Sequence, residues 1–162
     1  GFWPVLFLLG GALNSLFLAG DIFDIYVPLA LVSLAAVALV TLDGRPQALA
    51  AGMRYLLLAL VGSLCYLLGI ALLYASFGVL DAALLAERLQ PGMTASLAMA
   101  LLGEGLLLKT ALFPVHGWLP AAHGEAPAPA SALLSSLVVM GSLYVLLRLW
   151  LEIGRASCRE RV

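Results

Sequence analysis

The sequence is short of charged residues. Of 162 residues, 8 are lysine or arginine and 9 are aspartate or glutamate, whereas 64% are hydrophobic. A soluble domain is about a quarter charged, so this chain could not cover its own surface with polar groups. The composition therefore excludes a soluble enzyme and predicts an integral membrane protein whose surroundings are the lipid bilayer.

The sequence also has only two cysteines and a net charge close to zero. Cys65 lies in an apolar run, where a free thiol behaves as a small hydrophobic residue, and Cys158 lies near the C-terminal end. Neither belongs to a redox or metal motif, and the sequence has no phosphate-binding loop, nucleophile triad or haem-ligand pattern. The net charge of −1 gives no reason to expect nucleic acid as a partner. We expect no cofactor and no metal.

Polar residues divide the chain into hydrophobic spans. A transmembrane helix needs about 20 mainly apolar residues, which predicts spans at 2–19, 22–42, 48–77, 94–113 and 131–150. The third span is longer than the bilayer is thick and should tilt or protrude. Residues 79–90 predict a short interfacial amphipathic helix. The predicted fold class is all-α, a polytopic membrane helix bundle of about five transmembrane helices.

The fourth span contains Lys109, the single lysine of the chain. An ionisable residue inside a span is a functional-site hypothesis by default. Pro114 follows five residues later and breaks or kinks the helix. Non-helical chain at membrane depth must be buried in protein or line a wet cavity, so the break predicts a discontinuous helix of the transporter type. The alternative is a lysine near a helix end whose ammonium reaches the headgroups.

Three stretches resemble the signatures of one family. They are residues 20–27 (GDIFDIYV), 109–120 (KTALFPVHGWLP) and 122–134 (AHGEAPAPASALL). Similar stretches occur in the proton-conducting antiporter-like membrane subunits. This family includes the large membrane-arm subunits of complex I, the D subunit of Mrp-type cation/proton antiporters, and membrane subunits of membrane-bound hydrogenases.

The resemblance implies a pair of inverted five-helix repeats, each with one broken helix. Residues 1–151 resemble the first repeat, so we expect an internal fragment of a longer protein, with the fourth helix broken just after Lys109. Residues 152–162 are abruptly polar and basic. We interpret them as a non-native addition; the alternative is a cytoplasmic flank of the last span.

Two family residues are missing from this sequence. The family has a glutamate where this chain has Ala30, and a further lysine where it has Met140. Two functions therefore stay open. One is a subunit of a translocating complex that moves protons through a buried Lys/His relay without a redox centre of its own. The other is a structural, non-conducting subunit with a degenerate relay.

The candidate relay residues are Lys109, His116, His123 and Glu104. A lysine poised between desolvation and nearby carboxylates or water can accept and release a proton, and histidine changes charge near neutral pH. His123 could instead brace a loop. Glu104 lies about 140° around the helix axis from Lys109, so it would act through water or a neighbouring helix. The alternative is a protonated Glu104 bonded to backbone.

The remaining motif residues have structural explanations. Asp21 and Asp24 are expected to cap the second span, and Glu125 and Ser131 invite the same explanation at the last span. Trp118, like Trp3 and Trp150, is expected to be an interfacial anchor. The structural residues of the motifs are Asp21, Asp24, Pro114, Trp118, Pro120 and Pro127. We expect a prokaryotic inner membrane, other membrane subunits as partners, and protons or sodium as the transported ion.

Overall fold

Apolar helices make up almost the whole molecule. The computed structural model describes residues 1–90, 92–113 and 115–154. The helices are α1 (Phe2–Leu18), α2 (Ile22–Val40), α3 (Pro46–Phe77), α4 (Ala82–Arg88), α5 (Met93–Thr110), α6 (Leu119–Glu125) and α7 (Ala128–Ile153). Helices α2, α3, α5 and α7 are long and apolar enough to cross a membrane, and α1 is a shorter apolar helix. The predicted all-α membrane bundle is confirmed.

Side-chain caps and glycine define the helix ends at one end of the bundle. The Asp21 carboxylate accepts the backbone N–H of Phe23 at 2.8 Å, and Asp81 accepts two N–H groups at the start of α4. Such caps replace bonds that the first helical turn cannot make. Helix α3 ends at Phe77 and is followed by Gly78, whose φ of 69° suits a residue without a Cβ. These ends place the α1–α2 turn beside the α3–α4 connection, where the backbone N–H of Ile22 bonds to the carbonyl of Leu80 at 3.0 Å.

Glycines bring α3 and α5 into backbone contact. A Cβ added to Gly105 would lie 2.9 Å from the backbone nitrogen of Tyr66, and one added to Gly69 would lie 2.9 Å from the carbonyl oxygen of Ala98. Small residues allow this close approach between helices in membranes. Because Gly105 precedes Lys109 by one helical turn, the contact fixes the end of α5 that carries the lysine.

Large apolar side chains cover the outside of the bundle. Leu18, Met93 and Phe113 are each more than four-fifths exposed. In a soluble protein such a surface would be unusual, whereas lipid or a neighbouring membrane helix covers it without cost. The polar end of the chain, predicted as a separate segment at 152–162, lies outside the described residues after residue 154.

The two predicted helix ends that flank the break were each wrong by three residues. The fourth span ends at Thr110 rather than at residue 113, because Ala111 adopts a left-handed φ of 53° and takes the chain out of the helix. Pro114, where the break was predicted, lies outside the described residues. The last span begins at Ala128 rather than at residue 131, since Pro129 occupies its first turn, where a missing N–H costs nothing.

Candidate functional site

Lys109 lies in the interior of the bundle. It occupies the last turn of α5 and is only 4% exposed. Its Nζ donates a hydrogen bond to Oγ of Ser33 on α2 at 2.8 Å, and Ser33 in turn donates to the carbonyl of Leu29 at 3.0 Å. On the α3 side, a Cβ at Gly62 would lie 3.6 Å from Cγ of the lysine. The ammonium is therefore held among three helices and points into the bundle.

Lys109 has no ion-pair partner among the described residues. Within the described ranges the ion pairs are Arg45 with Asp43, Arg45 with Glu125, and Arg148 with Glu152, and none of them includes the lysine. Ala30 lies one helical turn before Ser33, and Met140 is exposed on α7. A hydroxyl therefore contacts the lysine close to the position where the resemblance predicted a carboxylate.

Two stacked aromatic rings, those of Tyr55 and Trp118, pack next to the contact between Lys109 and Ser33. Tyr55 on α3 is buried beside Ser33, and its ring stacks on Trp118 with 4.2 Å between centroids and 5° between planes. The Trp118 Nε1–H donates to the carbonyl of Leu108 at 3.0 Å. Carbonyls in the last turn of a helix lack helical partners. Trp118 therefore supplies a hydrogen-bond donor to one of these carbonyls at the C-terminal end of α5, next to Lys109.

The expectation that Trp118 is an interfacial anchor was wrong. Its ring is 2% exposed, because it stacks on Tyr55 inside the bundle instead of lying at the membrane surface. Trp3 and Trp150, the other two tryptophans, are both exposed, and their anchoring role stays a prediction.

Short turns lie on both sides of residue 114 in the helix break. Between α5 and α6 the backbone N–H of Leu112 bonds to the carbonyl of Leu107 at 3.3 Å, and a 3₁₀ turn covers His116–Trp118. Pro120 then lies in the first turn of α6. Phe113 and His116 are both exposed, with 5.8 Å between their ring centroids. The side of the break that carries Phe113 and His116 is therefore exposed at the surface of the bundle.

The structure does not gather the predicted relay residues into one cluster. His123 is half-buried, and its Nδ1 lies 2.7 Å from Oγ of Ser131. Glu104 is exposed on α5. Over the described parts of the chain, no hydrogen bond or ion pair joins Lys109 to His116, His123 or Glu104. Nor do three potential metal-binding side chains come together there.

Glu125 and Ser131 do not cap the last helix as predicted. Because that helix begins at Ala128, Ser131 already lies inside it and contacts His123, while Pro127 is the residue before its first turn. Glu125 is the last residue of α6, and its carbonyl accepts a bond from Arg45 Nη2 at 3.1 Å. This bond ties the far side of the break to the α2–α3 turn. Asp24 lies exposed in the first turn of α2.

Sequence reasoning missed Ser33 and Tyr55. Motif comparison could not find them, because neither lies in a stretch that carries the resemblance. One signal was present: Ser33 is a hydroxyl residue in an apolar helix, three positions after Ala30, and positions three apart share a helix face. Tyr55 had no comparable signal.

Comparison with known proteins agrees with this fold. The family described as NADH:quinone oxidoreductase/Mrp antiporter, TM, matches residues 19–158. The N subunit of NADH-quinone oxidoreductase from Desulforudis audaxviator (strain MP104C) is 41% identical over 161 residues, which cover 97% of this chain and 32% of that protein. The D subunit of a probable K(+)/H(+) antiporter from Rhizobium meliloti (strain 1021) is 33% identical over 149 residues, covering 89% of this chain and 28% of that protein.

A solved structure shows the same arrangement of helices. One chain of the Mrp complex from Dietzia sp. DQ12-45-1b superimposes with a TM-score of 0.84 at 29% identity, over 93% of this chain and 29% of that one. The chain thus spans about a third of the length of the relatives it matches. The two curated relatives are bacterial, in agreement with the predicted inner-membrane location. This chain is an integral membrane protein that belongs to the NADH:quinone oxidoreductase/Mrp antiporter transmembrane family.

Proposed function

We propose that this chain forms part of the ion pathway of a proton- or cation-translocating membrane complex, and that Lys109 takes up and releases the transported proton. The observation that carries the proposal is the burial of its ammonium beside a helix break, with a neutral hydroxyl as hydrogen-bond partner. An ionisable residue is expensive inside a membrane and is rare there without a function.

The chemistry of a proton relay fits this environment. Burial disfavours the ammonium, whereas hydrogen-bond acceptors and nearby negative charge favour it. With no fixed counter-ion described beside it, the charge of Lys109 responds to protons or ions that arrive in the pathway. His116, exposed on the open side of the break, is the proposed second relay group. The hydrogen bond of His123 to Ser131 favours a bracing role for that residue.

A second function is favoured by one observation. No carboxylate pairs with Lys109 within the described ranges, and the usual acidic and basic positions hold Ala30 and Met140. A non-conducting subunit would need the lysine only to join α5 to α2. Such a subunit would pack against and seal neighbouring subunits of the complex, and its lysine could be replaced without loss of transport.

Substitution of the lysine separates the two functions. The full-length protein in its assembled complex would be reconstituted into proteoliposomes, and proton flux followed with a pH-sensitive dye. Lys109→Met removes the charge and leaves an unbranched side chain only one atom shorter, so we expect flux to fall by about 100-fold, as for loss of a proton-transfer group. Arg54→Met, which removes an exposed cation from α3, should leave it unchanged. Wild-type flux in assembled Lys109→Met would contradict the proposal.

A further inference from the structure

We infer that Ser33 is the hydrogen-bond partner of Lys109 in both of its protonation states, a role that rests on the proposed function. The two side chains lie on different helices and are both buried, and the Nζ–Oγ distance of 2.8 Å is that of a well-formed hydrogen bond. Ser33 is therefore in direct contact with the nitrogen that would gain and lose the proton.

A hydroxyl can serve both states of the amine. An ammonium has three donors and no acceptor, whereas a serine hydroxyl has one donor and two acceptor lone pairs. In the structure Ser33 accepts from Lys109 and points its own hydroxyl at the Leu29 carbonyl, 3.0 Å away. When Lys109 is neutral its nitrogen has a free lone pair, and the Ser33 hydroxyl can turn toward it.

This change of direction costs little. Leu29 lies inside α2, so its carbonyl also accepts the helical N–H of residue 33 and keeps a partner after the hydroxyl turns away. No covalent bond breaks, because only the hydroxyl hydrogen rotates. The proton that Lys109 gains or loses travels by another route. Lys109 thus stays hydrogen-bonded while its charge changes.

A carboxylate would behave differently. An ionised carboxylate accepts hydrogen bonds and donates none, so it would favour the ammonium and would have no donor for the lone pair of the neutral amine. This chain has Ala30 at the glutamate position and a hydroxyl one turn further along the helix. The lysine is therefore contacted by a partner that favours neither charge state strongly.

The groups around the pair keep Ser33 in place. Tyr55 of α3 lies beside Ser33 and is itself fixed by stacking on Trp118. Tyr66, which packs against α5 at Gly105, donates its hydroxyl to the carbonyl of Ile22 at 3.1 Å and so is bonded elsewhere. In the described part of the chain the Lys109 Nζ bonds to Ser33 and to neither tyrosine, so Ser33 is the direct partner of the ammonium.

A matched pair of substitutions tests the inference. Ser33→Thr and Ser33→Val introduce side chains of nearly equal shape. Threonine keeps the hydroxyl, and valine has a methyl group in its place. In reconstituted complexes we expect Ser33→Thr to keep proton flux within about threefold of wild type. Ser33→Val should lower it at least about tenfold, since a buried charge then loses its partner. Equal losses in both variants would mean that residue 33 only fills space, and would overturn the inference.

Thermal unfolding provides a readout that does not depend on transport. With Lys109 present, Ser33→Val should unfold at a lower temperature than Ser33→Thr, and in the Lys109→Met background the difference should disappear. An unchanged difference in that background would show that Ser33 does not serve the lysine.

If Lys109→Met transports normally, the proposed function fails. If Lys109→Met is inactive while Thr and Val behave alike, only the role of Ser33 fails.

Discussion

At the scale of single residues, Lys109 makes a single described hydrogen bond, and its partner is the neutral hydroxyl of Ser33. A buried charge without a counter-ion is a free-energy cost to the fold, and replacing it by an apolar side chain of similar size is often neutral or stabilising. A residue kept at such a cost is better explained by function than by packing. The Ser33 contact lowers the cost without pairing the charge.

This reasoning predicts the effect of Lys109→Met on stability. The methionine fills most of the same space and removes the cost of a buried ammonium, while Ser33 keeps its bond to the Leu29 carbonyl. We expect the apparent Tm of the purified protein to stay the same or rise, although proton flux is lost. A scan of thermal unfolding in detergent would measure it. A marked fall in Tm would indicate that the lysine is mainly a structural link between α2 and α5.

At the scale of helices, the break after α5 is organised by Trp118. Its indole N–H satisfies the Leu108 carbonyl, and its ring fixes the following segment on α3 through Tyr55. The left-handed residue Ala111 turns the chain so that this contact can form. The motif tryptophan thus sets the position of the helix end that carries Lys109.

Removal of the indole N–H should destabilise the break. Trp118→Phe keeps an aromatic ring on Tyr55 but leaves the buried Leu108 carbonyl without this donor, which costs about 1–3 kcal/mol. We expect a lower Tm, measured by thermal unfolding. Trp150→Phe is the matched control, because Trp150 is 70% exposed and should tolerate the change. Equal Tm values for the two variants would contradict a capping role for Trp118.

The close contact between α3 and α5 predicts opposite effects on stability when two nearby glycines are replaced by alanine. A Cβ at Gly105 would lie 2.9 Å from the backbone nitrogen of Tyr66, whereas a Cβ at Gly103 meets nothing within 4 Å. Gly105→Ala should therefore push the helices apart and cost about 1–3 kcal/mol. Gly103→Ala should stabilise the helix by about 0.5–1 kcal/mol. Chemical or thermal unfolding would show the two signs; a stabilised Gly105→Ala would exclude the close contact.

At the scale of the whole molecule, sequence reasoning predicted the helices well because long apolar runs leave few alternatives in a membrane. It failed where the outcome depends on packing. The end of α5 at Thr110 depends on Ala111 and Trp118, and the burial of Trp118 depends on Tyr55, which is 63 positions earlier in the chain. A tryptophan next to a proline-rich segment gives no local sign of that contact.

In the candidate site, too, one residue could be predicted from the sequence and its partner could not. Lys109 was predictable, since a lysine in an apolar span is conspicuous and lies within a recognisable motif. Its partner was not, because Ser33 is 76 positions away and is selected by the packing of α2 against α5. Glu104 was a candidate relay residue, and the structure exposes it on α5, so its role stays a prediction. Composition and motifs therefore found the ionisable group, and the helix packing determined its environment.

Proton flux per assembled complex in Lys109→Met, compared with Arg54→Met and wild type in proteoliposomes, tests the central claim most directly. Each variant would first be shown to assemble in normal amounts. The proposed function predicts that the first variant loses about 100-fold in flux while the Arg54 control matches wild type. Undiminished flux through assembled Lys109→Met would contradict it and would leave the chain a structural subunit.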